Sequence, residues 1–131
     1  MQAVLCIHLK RFAFDGSGIK LNKPIDFSSI LALRPRYLFG QSLSRGKQYR
    51  LRSIVVHHGK TMSSGHYTAF VRLDSPDSAG PMADAKGSHS AVQRNGKESW
   101  VHCDDTHVAA VAMSDVYNQK AYLLFYDQVE L

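Results

Sequence analysis

Tyr49-Arg50-Leu51-Arg52-Ser53-Ile54-Val55-Val56-His57, followed after a loop by His66-Tyr67-Thr68-Ala69-Phe70-Val71-Arg72-Leu73, decides the fold of this chain. In the first run Tyr49, Leu51, Ile54 or Val55, and Val56 stand against Arg50, Arg52 and Ser53. Alternation with a period of two marks a strand with one buried face. The second run is equally rich in β-branched and aromatic residues, which suit a pleated surface. The segment between them, from His58 to Gly65, carries two glycines and reads as a loop. A connection this short predicts antiparallel neighbours, because parallel strands need a long crossover.

Strand patterns continue on both sides. Ala3-Val4-Leu5-Cys6-Ile7-His8-Leu9 is almost continuously apolar, which predicts a strand placed centrally in the sheet. Phe12-Ala13-Phe14 runs into Asp15-Gly16-Ser17-Gly18, a turn. Pro24-Ile25-Asp26-Phe27 reads as a short edge strand, since proline lacks the N–H that a central ladder needs. Ser28 is placed to cap a helical turn within the stretch from Phe27 to Leu33. Residues 34–46 are polar, basic and irregular. Glu98 to Cys103 and His107 to Val111 form two short strands joined at Asp104-Asp105-Thr106. Ser114 with Asp115 predicts the start of a short helix reaching about Lys120, and Ala121 to Tyr126 is a closing strand. Residues 74–97 hold Ser, Ala, Gly, Asp and Pro without periodicity, the composition of a long flexible insertion. The expected class is α+β but β-rich: an antiparallel sheet with one or two short helices.

The 131 residues make one domain or part of a larger one. No apolar run approaches the roughly 20 residues that span a bilayer, so no membrane segment is expected. The apolar start lacks a preceding basic segment and is followed at once by Lys10-Arg11, unlike a secretory leader. Cys6 and Cys103 do not make a disulfide framework, and the default setting is intracellular, in cytoplasm or nucleus. Charge is uneven: residues 1–52 carry +8 and residues 53–131 carry −3. The basic residues are scattered, with no aromatic interleaving of the kind that stacks on bases, so no nucleic-acid partner is expected.

Chemistry concentrates at two places. His66 follows Gly65 at the mouth of a strand, and glycine permits the close approach that presents an imidazole there. Histidine titrates near neutral pH and so serves as a general base without tuning. Asp104 and Asp105 end a second strand, where a carboxylate could orient that ring. Taken singly, each feature also fits a surface histidine or an acidic turn. Neither cysteine suits a nucleophile. Cys6 lies in an apolar strand, and Cys103 adjoins two carboxylates that repel a thiolate. His57, His58, His102 and His107 add further ligand types, but no tight Cys/His spacing announces zinc, and neither a metal nor any other cofactor is expected.

Five stretches in order resemble the ubiquitin-specific proteases, also called ubiquitin carboxyl-terminal hydrolases. Val4-Leu5-Cys6-Ile7-His8-Leu9-Lys10-Arg11-Phe12 is similar to their Leu-Lys-Arg-Phe strand. Tyr49 to Gly59 resembles the strand leading to the catalytic-histidine loop, and Ser64 to Arg72 resembles the histidine box itself. Trp100 with Asp104-Asp105 resembles the acidic box, and Ala121-Tyr122-Leu123-Leu124-Phe125-Tyr126 the closing strand. The resemblance implies a papain-like thiol protease whose β-rich palm carries His66 as general base and Asp104 and Asp105 as orienting and supporting acids. Some members carry Asn at the position of Asp104, which leaves the split between the two acids open. Gly65 and Tyr67 would border the channel for the Gly-Gly tail of ubiquitin. The family's cysteine box and its Cys-x-x-Cys zinc pairs are missing. The chain is thus expected to be the C-terminal half of a catalytic domain, inactive alone, with the nucleophilic Cys on an N-terminal thumb half. Its partners would be that half, ubiquitin and ubiquitinated proteins. A non-catalytic ubiquitin-binding or scaffold module is the alternative.

Overall fold

The computed structural model describes residues 3–13, 15–34, 46–61, 63–73 and 98–129. The sequence-predicted irregular segment at 34–46 lies mostly, and the insertion at 74–97 entirely, outside them. Strands β1 (Val4–His8), β2 (Ile30–Leu33), β3 (Lys47–His58), β4 (His66–Leu73), β5 (Ser99–Asp104) and β6 (His107–Val111) precede a short helix, α1 (Met113–Tyr117), and a final strand, β7 (Ala121–Val129). They form one antiparallel sheet in the order β1-β7-β3-β4-β5-β6, with β2 paired to β3. The β-rich class expected from the sequence is the observed one, with a single short helix among the described residues. No described helix is long and apolar enough to cross a membrane.

β3 organises the sheet. Its first half pairs with β2 and its second half with β4, while β7 runs along its other edge. Its buried apolar positions are Tyr49 and Leu51 in the first half but Ile54 and Val56 in the second. The change of phase has a cause. Leu51 faces Tyr126 and Ser53 faces Phe125, so Arg52 is an extra residue against β7. A bulge of one residue swaps the faces of everything beyond it. It resolves the ambiguity at Ile54 and Val55, since Ile54 is fully buried. The core joins these residues to Phe70, Trp100, Val116, Ala121, Leu124 and Tyr126. Each large aliphatic side chain buried there contributes about 1.5–3 kcal/mol.

Four expectations are corrected. β1 is an edge strand, not a central one, because among the described residues only β7 pairs with it. Leu5, Ile7 and Leu9 pack on the core, whereas Val4 and Cys6 are exposed. A continuous apolar run thus hides an alternating burial. Pro24 to Phe27 forms no strand. Side-chain bonds hold the chain just before it instead: the buried Arg11 donates from Nε to the Ala121 carbonyl at 2.6 Å and from a terminal nitrogen to the Lys23 carbonyl at 2.8 Å. No helical turn forms after Ser28; residues 30–33 are β2, where pairing with β3 overrides local capping preference. Finally, Ala112 rather than Ser114 is the N-cap of α1, and the helix ends at Tyr117 rather than near Lys120. The Asp115 carboxylate reaches back to accept from the Ala112 N–H at 3.2 Å, replacing a side-chain cap.

Candidate active site

The β3–β4 hairpin and the β5–β6 turn meet at one rim of the sheet. His66 opens β4, and its backbone partner across the ladder is His58, the last residue of β3. On the other side β4 pairs with β5 up to Ala69 opposite Cys103, which leaves Asp104 one step further, at the end of β5. Residues two apart on a strand share a face. His66, Thr68 and Phe70 therefore line up on the core-facing side, with Asp104 beside Thr68. Asp105 begins the turn with φ +48°, a left-handed conformation that Asp tolerates better than most residues. It redirects the chain into β6 and leaves Asp104 aimed at β4.

His66 Nε2 and Asp104 Oδ1 are 2.5 Å apart. Their side chains are 46% and 44% exposed, so the pair sits at an open rim. The hydrogen bond to Asp104 holds the His66 imidazole above its ordinary range, with the nearby charges of Asp104 and Asp105 adding to the effect. The same bond holds the Asp104 carboxyl below its ordinary range. With Nε2–H donating to the carboxylate, the neutral ring carries its lone pair on Nδ1, and no described residue bonds that atom. A histidine held this way can take a proton from a group approaching on the Nδ1 side. His58 stands on the flank: its Nε2 lies 2.8 Å from the Thr68 hydroxyl, and its ring stacks on His66 with centroids 6.4 Å apart. Burial, then the proximity of His66, push the His58 imidazole below its ordinary range.

Gly65 has φ +154°, and a Cβ placed on it would lie 2.5 Å from the His58 carbonyl oxygen. A side chain cannot stand there, which accounts for glycine before His66. Tyr67 is exposed on the opposite face, its ring 4.8 Å from that of His57 and 6.0 Å from that of Tyr122. The cysteines do not join this arrangement. Cys6 lies in β1, three ladder positions from β4 and hence roughly 14 Å away across the sheet. Cys103 is half-buried and precedes Asp104, so its side chain points to the other face.

The histidines weighed as metal ligands scatter. His102 stacks on Phe70 at 4.5 Å, and His57 is buried among aromatic rings. Among the described residues only His66, Asp104 and Asp105 bring ligand atoms together, within 4.8 Å of one another. Their shortest contact is the hydrogen bond itself, which a metal ion would have to break.

Set against known proteins, residues 3–126 match the family model described as ubiquitin carboxyl-terminal hydrolase. The chain belongs to that family. It is 38% identical over 132 residues to mouse ubiquitin carboxyl-terminal hydrolase 16, covering 96% of this chain and 16% of that protein. Human ubiquitin carboxyl-terminal hydrolase 45 is 35% identical over 135 residues, covering 97% of this chain and 16% of that protein. The chain thus spans about a sixth of the length of the relatives it matches. Among solved structures, the SAGA Ubp8/Sgf11/Sus1/Sgf73 DUB module bound to ubiquitin aldehyde superposes with a TM-score of 0.69 at 25% identity, covering 98% of this chain and 25% of that one. A yeast SAGA DUB module gives 0.68 at 28% identity, covering 98% of this chain and 24% of that one. The β-rich sheet is therefore that of ubiquitin-specific protease domains, and deubiquitination is the activity associated with the family.

Sequence reasoning reached His66, Asp104, Asp105, Gly65 and Tyr67, and the structure brings the first three together. It treated His57 and His58 only as metal candidates and passed over Lys20. Lys20 is buried and its ammonium donates to the His57 carbonyl. The β3–β4 register, which places His58 opposite His66, is what puts His58 at the flank of the pair.

Proposed function

We propose that this chain is the palm-side, C-terminal half of a ubiquitin-specific protease catalytic domain, hydrolysing the peptide or isopeptide bond after the C-terminal glycine of ubiquitin. The observation that carries the reading is the His66–Asp104 hydrogen bond at 2.5 Å through Nε2, which leaves Nδ1 for a nucleophile. The nucleophile is a cysteine on an N-terminal thumb half, since neither Cys6 nor Cys103 is placed to serve. His66 takes the thiol proton, and the thiolate attacks the carbonyl to give an acyl-enzyme. The acyl-enzyme forms as the imidazolium protonates the departing amine and the C–N bond breaks, and the neutral ring then activates water, which hydrolyses the thioester and frees the thiol. Asp104 fixes the ring and stabilises the imidazolium. Asp105 adds negative charge beside it. Gly65 and Tyr67 border the groove for the Gly-Gly tail. The working setting is intracellular, and the partners are ubiquitin, ubiquitinated proteins and the thumb half.

The test is complementation. The chain, mixed with a separately produced cysteine-bearing half, should cleave a fluorogenic ubiquitin C-terminal reporter, while either part alone should not. His66→Ala should lower turnover by about 10²–10⁴-fold, the usual contribution of a general base. Undiminished turnover in that variant removes His66 from the mechanism.

A further inference from the structure

His57 takes no part in that chemistry, yet it is the polar residue most tightly built into the catalytic hairpin. It faces away from His66, on the other side of the β3–β4 ribbon, opposite Tyr67. Only 2% of it is exposed. Phe12, Tyr67 and Tyr122 enclose the ring at centroid distances of 5.6, 4.8 and 6.3 Å. The turn closes on the same ring. A Cβ on Gly59 would lie 3.1 Å from its Cε1, and a Cβ on Gly65 would collide with its Nε2. Both glycines have φ near +150°, so the backbone wraps the imidazole in a conformation other residues rarely adopt.

The ring's polar atoms are used unequally. The imidazole hydrogen-bonds to the backbone of Ser64, while Nδ1 is buried with no partner among the described residues. The bond to Ser64 therefore runs through Nε2, the atom nearest Gly65. A buried nitrogen left bare is costly, and a ring that served only to fill space would be better replaced by an apolar one. Lys20 and His58 are the titratable groups acting on the ring, and both, with burial, oppose a charge on it.

We propose that His57 is a positioning residue: its Nε2–H, donating to the Ser64 carbonyl, fixes the backbone immediately before Gly65-His66 and so sets the His66 ring on Asp104. The proposal rests on reading His66 as the base, but its test does not require turnover.

Long-range 1H–15N spectra of the 131-residue chain identify the tautomer and titration of each histidine. His57 should hold the neutral Nε2–H tautomer from about pH 5 to 8, the range in which an ordinary histidine changes charge. A charged ring or an Nδ1–H tautomer overturns the proposal on the wild-type chain alone. His57→Leu fills the space but removes the donor. It should return the His66 titration toward its ordinary value of 6.5, with the sheet amide pattern retained. His57→Gln, which offers an amide N–H, should restore part of the shift. An unchanged His66 titration in the folded Leu variant reduces His57 to packing. If the Leu variant does not fold, the wild-type tautomer decides. Failure of complementation with these spectra as expected sinks the protease reading and leaves the positioning role standing.

Discussion

Across the β3–β4 ribbon, His57 on one face and His66 on the other are pushed in opposite directions. On one face His57 is enclosed by rings and glycine backbone, and burial holds its pKa low. On the other, His66 stands at an open rim against Asp104, and that hydrogen bond holds its pKa high. The strands are the same; the neighbours differ. A fully enclosed imidazole loses its charged form to desolvation, whereas an exposed one keeps it when a carboxylate is in reach. On the proposed reading one ribbon separates a structural role from a chemical one, and variants should separate them too.

Gly65→Ala should have the largest effect, because it touches both faces at once. The new Cβ meets the His57 ring and the His58 carbonyl at a φ of +154°. A loss of about 2–3 kcal/mol in urea unfolding is expected, in the range for backbone strain at such a site. The His66 titration should move with it. If stability falls but His66 titrates as before, the two faces are not coupled through the turn.

Tyr126→Phe probes the core away from both histidines. Its hydroxyl donates to the Ser28 carbonyl at 2.9 Å, and losing that bond should cost about 1 kcal/mol. Both histidine titrations should be unchanged. A shift in either would show that the ribbon responds to general loosening of the sheet.

Asp104→Asn should change stability least and His66 most specifically. The pair contributes stability when both partners are charged. For Asp104, whose pKa is lowered on folding, that contribution exists above its ordinary 3.8 and is lost as pH falls through the lowered value. For His66, whose pKa is raised, it exists below 6.5 and is lost as pH rises through the raised value. The expected result is a slightly flatter profile of melting temperature against pH across that window, with His66 titrating nearer its ordinary value. An unmoved His66 would show that Asp104 does not govern it.

Much of this arrangement could be read from residues alone, for identifiable reasons. The β3, β4 and β7 patterns alternate or run apolar between turn residues, and Gly65-His66 and Asp104-Asp105 stand at strand ends where the structure places them. What escaped depended on partners. Whether β1 is central or at an edge is a matter of which strands pair with it, and both placements tolerate an apolar run. The phase change in β3 depends on the extra residue at Arg52, visible only against β7. Pro24 to Phe27 has strand-like composition but finds no ladder, and Ser114 has the chemistry of a cap two residues inside the helix it was expected to start. His57 reads as a strand residue or a metal ligand until the turn is seen folded over it.

The central claim is that this chain supplies the base and its orienting acid, and another segment supplies the thiol. The most direct measurement is mass-spectrometric mapping of the adduct formed when the complemented enzyme reacts with ubiquitin bearing a thiol-reactive C-terminal electrophile. The expected result is a single adduct on a cysteine of the other half, formed much more slowly with His66→Ala, and none on Cys6 or Cys103. An adduct on Cys6 or Cys103 that forms at the same rate without His66 would contradict it.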